Sequence, residues 1–221
     1  MKAIIILITF IPLFARSQDT TSHFSAGVFA SADLCYRRSV AEDGFELMKA
    51  EFDSLELFRV GYSAGLALNY DLRENLFLAS GIQFSDRGYR IDTLKESRIS
   101  DIRYHYQQVE VPVRIGLRFN YKGRTKPFVS VGLVLGGIIG QKTTMNRMGE
   151  ADDIEHNGLD QSVNRFQTGI LFTAGIQKEF YHNYVVRIEA MGRQSINSVS
   201  NTNLNRMLNS VGTGLTFLHH F

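Results

Sequence analysis

Eight stretches of this chain, each 12 residues or longer, put an apolar residue at every second position, which predicts β-strands and not helices. Between Arg59 and Leu72 one face carries Val60, Tyr62, Ala64, Leu66, Leu68, Tyr70 and Leu72. The other carries Arg59, Gly61, Ser63, Gly65, Ala67, Asn69 and Asp71. The same two-faced pattern recurs over Phe24 to Tyr36, Leu76 to Arg90, Tyr104 to Asn120, Pro127 to Gln141, Arg165 to Phe180, Asn183 to Ile196 and Leu208 to Phe221. Strands of an ordinary sheet run to about 5–6 residues, whereas a tilted strand crossing a bilayer needs about 9–11. The pattern predicts an all-β fold, an eight-stranded antiparallel up-and-down transmembrane β-barrel.

The connections support this independently. Arg37 to Phe58, Ile91 to Arg103, Thr143 to Asn164 and Ser198 to Met207 are long; Arg73 to Asn75, Tyr121 to Lys126 and Tyr181 to His182 are short. Strict alternation of long and short is what an even-stranded barrel gives with both termini on one side. The expected placement has short turns and both termini periplasmic, long loops extracellular, in a cell outer membrane.

Met1 to Ser17 reads as a signal peptide: Lys2 is its positive start, Ala3 to Phe14 its apolar core, and Ala15-Arg16-Ser17 its small-residue cleavage site. The expected division is residues 1–17 as signal peptide and 18–221 as one barrel domain. The full chain has 24 basic and 22 acidic residues. Removing Lys2 and Arg16 leaves 22 of each, a formal net charge of zero, which is no footprint for nucleic acid. Past residue 17 no apolar run approaches the 18 residues of a transmembrane helix; the longest, Val129 to Gly140, is broken by five glycines or serines. The single cysteine, Cys35, has no disulfide partner within the chain and reads as a small apolar side chain in a strand.

Glycines such as Gly27, Gly65, Gly116, Gly132, Gly175 and Gly214 fall mostly on the polar face, as a narrow lumen would require. The competing fold is a soluble lipocalin-like barrel or sandwich, with the apolar face turned inward. Parity alone cannot choose between them; strand length, the glycine face and the terminal aromatic Phe221 favour the membrane barrel.

With the apolar face toward lipid, Asp33, Arg59, Asp71, Arg87, Glu110, Arg114, Arg118, Arg165, Glu179, Arg187, Glu189 and Arg193 point inward or toward the rims. Enclosed charges must be paired and hydrogen-bonded, and Glu110, Glu189, Arg114 and Arg187 are expected to cluster. The histidines lack metal spacing, and adjacent His219 and His220 face opposite ways in a strand. His156 with Asp152, Asp153 and Ser162 is the nearest approach to a catalytic set, and reads more simply as part of a solvated acidic loop. The loops at 37–58 and 143–164 carry six and five acidic residues, and neither matches an EF-hand. Phe45, Met48, Phe52 and Leu55 recur at helical spacing and predict a short helix that caps the barrel mouth or meets a partner, the cap being the simpler reading. Phe221, Phe217 and Leu215 share parity on the last strand, as a lipid-facing signal for the barrel-insertion machinery would.

Four local motifs carry a family resemblance. Tyr106-Gln107-Gln108-Val109-Glu110-Val111-Pro112-Val113-Arg114, then Pro127-Phe128-Val129-Ser130-Val131-Gly132, and the closing Gly212-Thr213-Gly214-Leu215-Thr216-Phe217 are similar to strands of the PorT-like outer-membrane β-barrel proteins of Gram-negative bacteria, a type common in Bacteroidota. Ser85-Asp86-Arg87-Gly88-Tyr89-Arg90 resembles that family's strand exit. The resemblance implies fold and location, and some relatives serve secretion machinery.

The functional expectation is a non-enzymatic envelope protein, structural or accessory to a secretion or surface complex. The alternatives are an integral enzyme acting on lipid or peptide at the outer rim and, more weakly, a small pore. No catalytic residue, cofactor or metal is expected. The expected partners are outer-membrane lipid and lipopolysaccharide, the insertion machinery, and envelope proteins.

Overall fold

The computed structural model describes residues 23–41, 55–92, 99–119, 125–147, 154–158, 163–180, 183–200 and 204–221. The described residues form ten strands: β1 (Phe24–Ala41), β2 (Glu56–Leu57), β3 (Arg59–Asp71), β4 (Leu76–Asp92), β5 (Ile99–Arg118), β6 (Thr125–Arg147), β7 (Ile154–Asn157), β8 (Phe166–Phe180), β9 (Tyr184–Ser195) and β10 (Leu204–His220). Eight of them are staves, paired in the order β1-β3-β4-β5-β6-β8-β9-β10, each antiparallel to its neighbours. β1 then pairs with β10 from Ser25↔His220 to Ala41↔Leu204, closing the ring. The fold is an eight-stranded antiparallel up-and-down barrel; closure leaves no free sheet edge along the wall, which a lipid environment demands. Among the described residues no helix is long and apolar enough to cross a membrane.

Burial fixes the orientation that parity left open. Outward side chains are apolar and exposed: Val60 at 68%, Leu66 at 60%, Ile188 at 55%. Inward ones are polar and enclosed: Glu110 at 0%, Glu189 at 1%, Arg187 at 2%. This inverts the soluble pattern, in which such charges are almost never fully buried. Aromatic residues gather at both margins of the apolar band, as in membrane barrels. At the turn end, Phe24 and Phe221 lie 6.0 Å apart, and Tyr184 and His219 4.9 Å. Toward the loop end stand Tyr36 with Phe58 at 5.7 Å and Tyr62 with Phe84 at 6.4 Å.

Several staves outrun the sequence expectation at the loop end. β1 continues from Tyr36 to Ala41, β5 begins at Ile99, and β6 reaches Arg147. Much of the predicted loop at 91–103 is thus hairpin strand, and the predicted loop at 143–164 contains β7. The added segments have polar residues on their outer face, so the alternation that marks the lipid-facing strands fades there. β6 also carries a bulge: Gln107 pairs with Gly140 and Gln108 with Ile138, leaving Ile139 unopposed. One extra residue reverses the phase. Ile138 is buried and Ile139 exposed, but above the bulge the buried position is odd-numbered Thr143.

Candidate functional site

The enclosed face forms three tiers. Nearest the short turns, Arg187 on β9 is wholly buried. Its Nε donates to Gln177 Oε1 at 3.1 Å and its Nη2 to Asn69 Oδ1 at 2.8 Å. Its guanidinium lies over the Phe77 ring at 4.7 Å and the Phe128 ring at 5.6 Å. Arg118 covers Phe77 at 4.7 Å, shares Gln177 and pairs with Asp71. Among the described residues no carboxylate lies within ion-pair distance of Arg187; aromatic faces and amide oxygens hold this cation. Gly116 makes the tier possible, because any Cβ there would collide with the Phe77 ring.

In the middle, Arg114 donates through Nη1 to both carboxylate oxygens of Glu189, at 3.0 and 2.9 Å. Above it, Glu110 accepts from Gln83 Nε2 at 2.8 Å and Ser85 Oγ at 2.7 Å and pairs with Arg193. Arg87 lies 3.6 Å from Asp33 and 3.7 Å from Glu110, and donates to Ser63 and Ser210. The expected cluster of four therefore divides. Arg114 and Glu189 do meet, but Glu110 pairs with Arg193 and Arg87, and Arg187 sits with Arg118 over Phe77, bonded to Gln177 and Asn69 and to no carboxylate among the described residues. The reason is height. Glu110 precedes Arg114 by four residues on one stave, and Arg187 lies two residues turnward of Glu189.

A cavity of about 30 Å³ lies against Asp33, Arg87, Arg114 and Arg193, room for one or two waters. The Nε atoms of Arg87 and Arg193 find no hydrogen-bond partner among the described residues, so the polar groups beside it remain available to such waters.

The loop-end mouth is closed by an apolar cluster of Tyr89, Ile91, Tyr106, Ile138, Val163, Val199 and Leu208, with Leu55 and Tyr104 against it. Tyr89 and Tyr104 stack at 4.7 Å, and Arg37, paired with Glu56, lies 4.6 Å from the Tyr89 centroid. Burial pushes the Tyr104 and Tyr106 hydroxyls up, Tyr106 far more, so both remain protonated donors in this apolar setting. Sequence reasoning missed this closure, because Tyr89, Tyr104 and Tyr106 sit on the face read as polar. It also missed the inward apolar side chains Phe77, Phe128, Val134, Leu171, Val185 and Leu218.

The remaining candidates lie apart. His105 bonds Arg59 at 2.6 Å and lies 3.4 Å from Asp86. His220 bonds Ser25 Oγ at 2.7 Å, but that serine is fully buried and open to no substrate. Glu179 meets Lys126 at 2.9 Å near the turn end. Arg165 is exposed, and Cys35 is buried in the wall's inner face. His156 lies on β7, but Asp152, Asp153 and Ser162 fall outside the described residues. So do Phe45, Met48 and Phe52 of the predicted cap; Leu55, the last of that set, packs against the mouth cluster. Among the described residues no group of three or more His, Cys, Asp or Glu side chains is placed to hold a metal ion.

A closed ring of eight staves, greasy outside and ion-paired within, defines an integral outer-membrane barrel. The chain belongs to the outer membrane protein beta-barrel domain family, whose model matches residues 16–204. Solved structures of similar form include Neisserial surface protein A, at 13% identity over 89% of this chain and 99% of that one, TM-score 0.43. The attachment invasion locus protein Ail of Yersinia pestis is 15% identical over 88% of this chain and 97% of that one, TM-score 0.41. OprG from Pseudomonas aeruginosa is 11% identical over 91% and 96%, TM-score 0.45. No curated protein matches the chain.

Proposed function

We propose that this barrel is a non-enzymatic envelope protein that works through its outer wall and loop end, either structurally or as an accessory of a secretion or surface complex. The closed lumen carries this reading. Buried arginines, most of them ion-paired, occupy the interior, the cavity beside Asp33, Arg87, Arg114 and Arg193 is only about 30 Å³, and an apolar cluster that includes Tyr89 and Tyr106 packs across the mouth. A solute path would need all three tiers to rearrange, and each arginine moved would forfeit its pairing. What remains for contact is the wall above the lipid-facing band and the loops. The alternation of loop lengths supports a periplasmic position for both termini, and the leader would be removed on export. The strand motifs around Glu110 and Pro127 support membership of the PorT-like group.

Two measurements test the proposal. Purified barrel in planar bilayers is expected to show no conductance steps; regular steps would replace this reading with a pore. Affinity capture of the tagged barrel from a mildly cross-linked envelope is expected to recover a defined set of envelope proteins. A deletion strain with an altered lipid or peptide product and no lost assembly would favour an enzyme instead.

A further inference from the structure

Above the apolar band on the outer wall, β4 and β5 place Arg90 directly opposite Arg103. Like charges facing each other across a strand pair are destabilising. Here one carboxylate holds them both: Arg90 Nε donates to Asp101 Oδ1 and Arg103 Nε to Asp101 Oδ2, each at 2.7 Å. Asp101 is sunk beneath them with a side chain 5% exposed, while those of Arg90 and Arg103 are 40% and 44% exposed. Only the Nε edges are used, and among the described residues neither guanidinium makes another bond. Their Nη groups carry no hydrogen bond to a described residue, and both side chains stay partly exposed.

We infer that Arg90, Asp101 and Arg103 form a clamp for a phosphate group on the saccharide of a membrane glycolipid. This inference rests on the reading that the loop end faces outward. Two guanidiniums with free Nη donors match the oxygens of a phosphate, whose bidentate hydrogen bonds are charge-assisted. Position selects the source. The register is unbroken from Leu76↔Leu117 to Asp92↔Asp101, so Arg90 and Arg103 share the outer face with Phe84 and Val109. Six residues separate Val109 from Arg103, about 15 Å of height for a tilted strand. A phospholipid phosphate stays within roughly 5–8 Å of the hydrocarbon, whereas a sugar phosphate on a glycolipid reaches higher. Asp92 flanks the clamp on its loop side, opposite Asp101.

The test uses the full barrel in maltoside detergent, with bound lipid read by native mass spectrometry. The probes are deep-rough lipopolysaccharide with phosphorylated inner-core sugars, the same material dephosphorylated, lipid A alone, and inorganic phosphate as competitor. The phosphorylated glycolipid is expected to bind at least tenfold tighter than the dephosphorylated one, and Arg90→Gln/Arg103→Gln to lose that margin. Asp101→Asn separates a built clamp from simple charge: it raises the local positive charge, yet is expected to weaken binding because the guanidiniums are no longer held together. Tighter binding by Asp101→Asn, equal binding of lipid A alone, competition by low-millimolar phosphate, or no difference between the glycolipids would each overturn the clamp. Heat-modifiable gel mobility shows whether each variant is folded. Maleimide labelling of Asn157→Cys on intact cells reads the orientation separately; a hidden residue 157 would overturn the orientation while the lipid-binding ratios still judge the clamp.

Discussion

Within the lumen, two fully buried ions make opposite stability arguments. Glu110 is the shared counter-ion of Arg193 and Arg87, and Gln83 and Ser85 donate to it. Replacing it with alanine strands Arg193 and leaves Arg87 with Asp33 alone, and removing one partner of a buried pair typically costs about 3–5 kcal/mol. Arg187 has no carboxylate partner among the described residues, and its side chain already lies on Phe77 and Phe128. Arg187→Met keeps much of that packing and removes a desolvated charge, so its cost is expected to stay within about 1–2 kcal/mol. Urea-dependent refolding into lipid vesicles measures both; Arg187→Met as damaging as Glu110→Ala would show that the aromatic-held cation is essential to the fold. Parity marked Glu110 and Arg187 as inward. It could not show their partners, because a contact across the lumen depends on stagger between staves that are not neighbours in sequence. Phe77 and Gly116 face one another across the consecutive staves β4 and β5, and their contact was hidden for a different reason, an aromatic ring standing on the face read as polar. Gly116→Ala is expected to cost about 1–3 kcal/mol by displacing the Phe77 ring, read in the same refolding assay.

At the scale of the strand, alternation was a sufficient guide wherever one face met lipid and the other met charge. The ends of β5 and β6 escaped it because Arg103, His105, Gln107, Lys142 and Thr144 are polar on the outward side while Tyr104 and Tyr106 are aromatic on the inward side. The two-face contrast disappears although the hydrogen-bond ladder continues. The bulge adds to this by changing the phase after Ile139. That residue opposes nothing on β5, so deleting it leaves Ile138 against Gln108 and Gly140 against Gln107. The Ile139 deletion is expected to fold and insert normally. Deleting Val131 instead, which pairs with both Ile115 and Phe172, slips the register on one side. A one-residue slip turns a whole apolar face inward, so that deletion is expected to abolish heat-modifiable folding. Equal behaviour of the two deletions would mean that the register of β6 is not what holds this wall.

For the whole molecule, the decisive event is closure, since an open eight-stranded sheet would leave two unpaired edges in hydrocarbon. The seam is formed by β1 and β10, nearly two hundred residues apart in the chain, and it reaches the final residue. The Phe221 N–H donates to the Phe24 carbonyl at 3.2 Å, and its ring lies 6.0 Å from Phe24 and 5.1 Å from His219. Phe221 is thus both the last rung of the closing ladder and a member of the turn-end aromatic girdle, and its side chain is 68% exposed toward the membrane margin. Long-range pairing of this kind forms late and slowly, so a group that stabilises the seam at its end acts mainly on the rate of closure. Deleting Phe221 is expected to slow insertion severalfold, followed as the heat-modifiable fraction over time, while leaving the final stability of the barrel nearly unchanged. Phe221→Tyr keeps an aromatic ring at the girdle and is expected to insert at the wild-type rate; Phe221→Asp keeps the backbone rung but places a charge at the margin, and is expected to be slower than the deletion. If all three insert alike, closure does not depend on the terminal residue, and the seam must be nucleated from the pairs nearer Asp33 and Gly212.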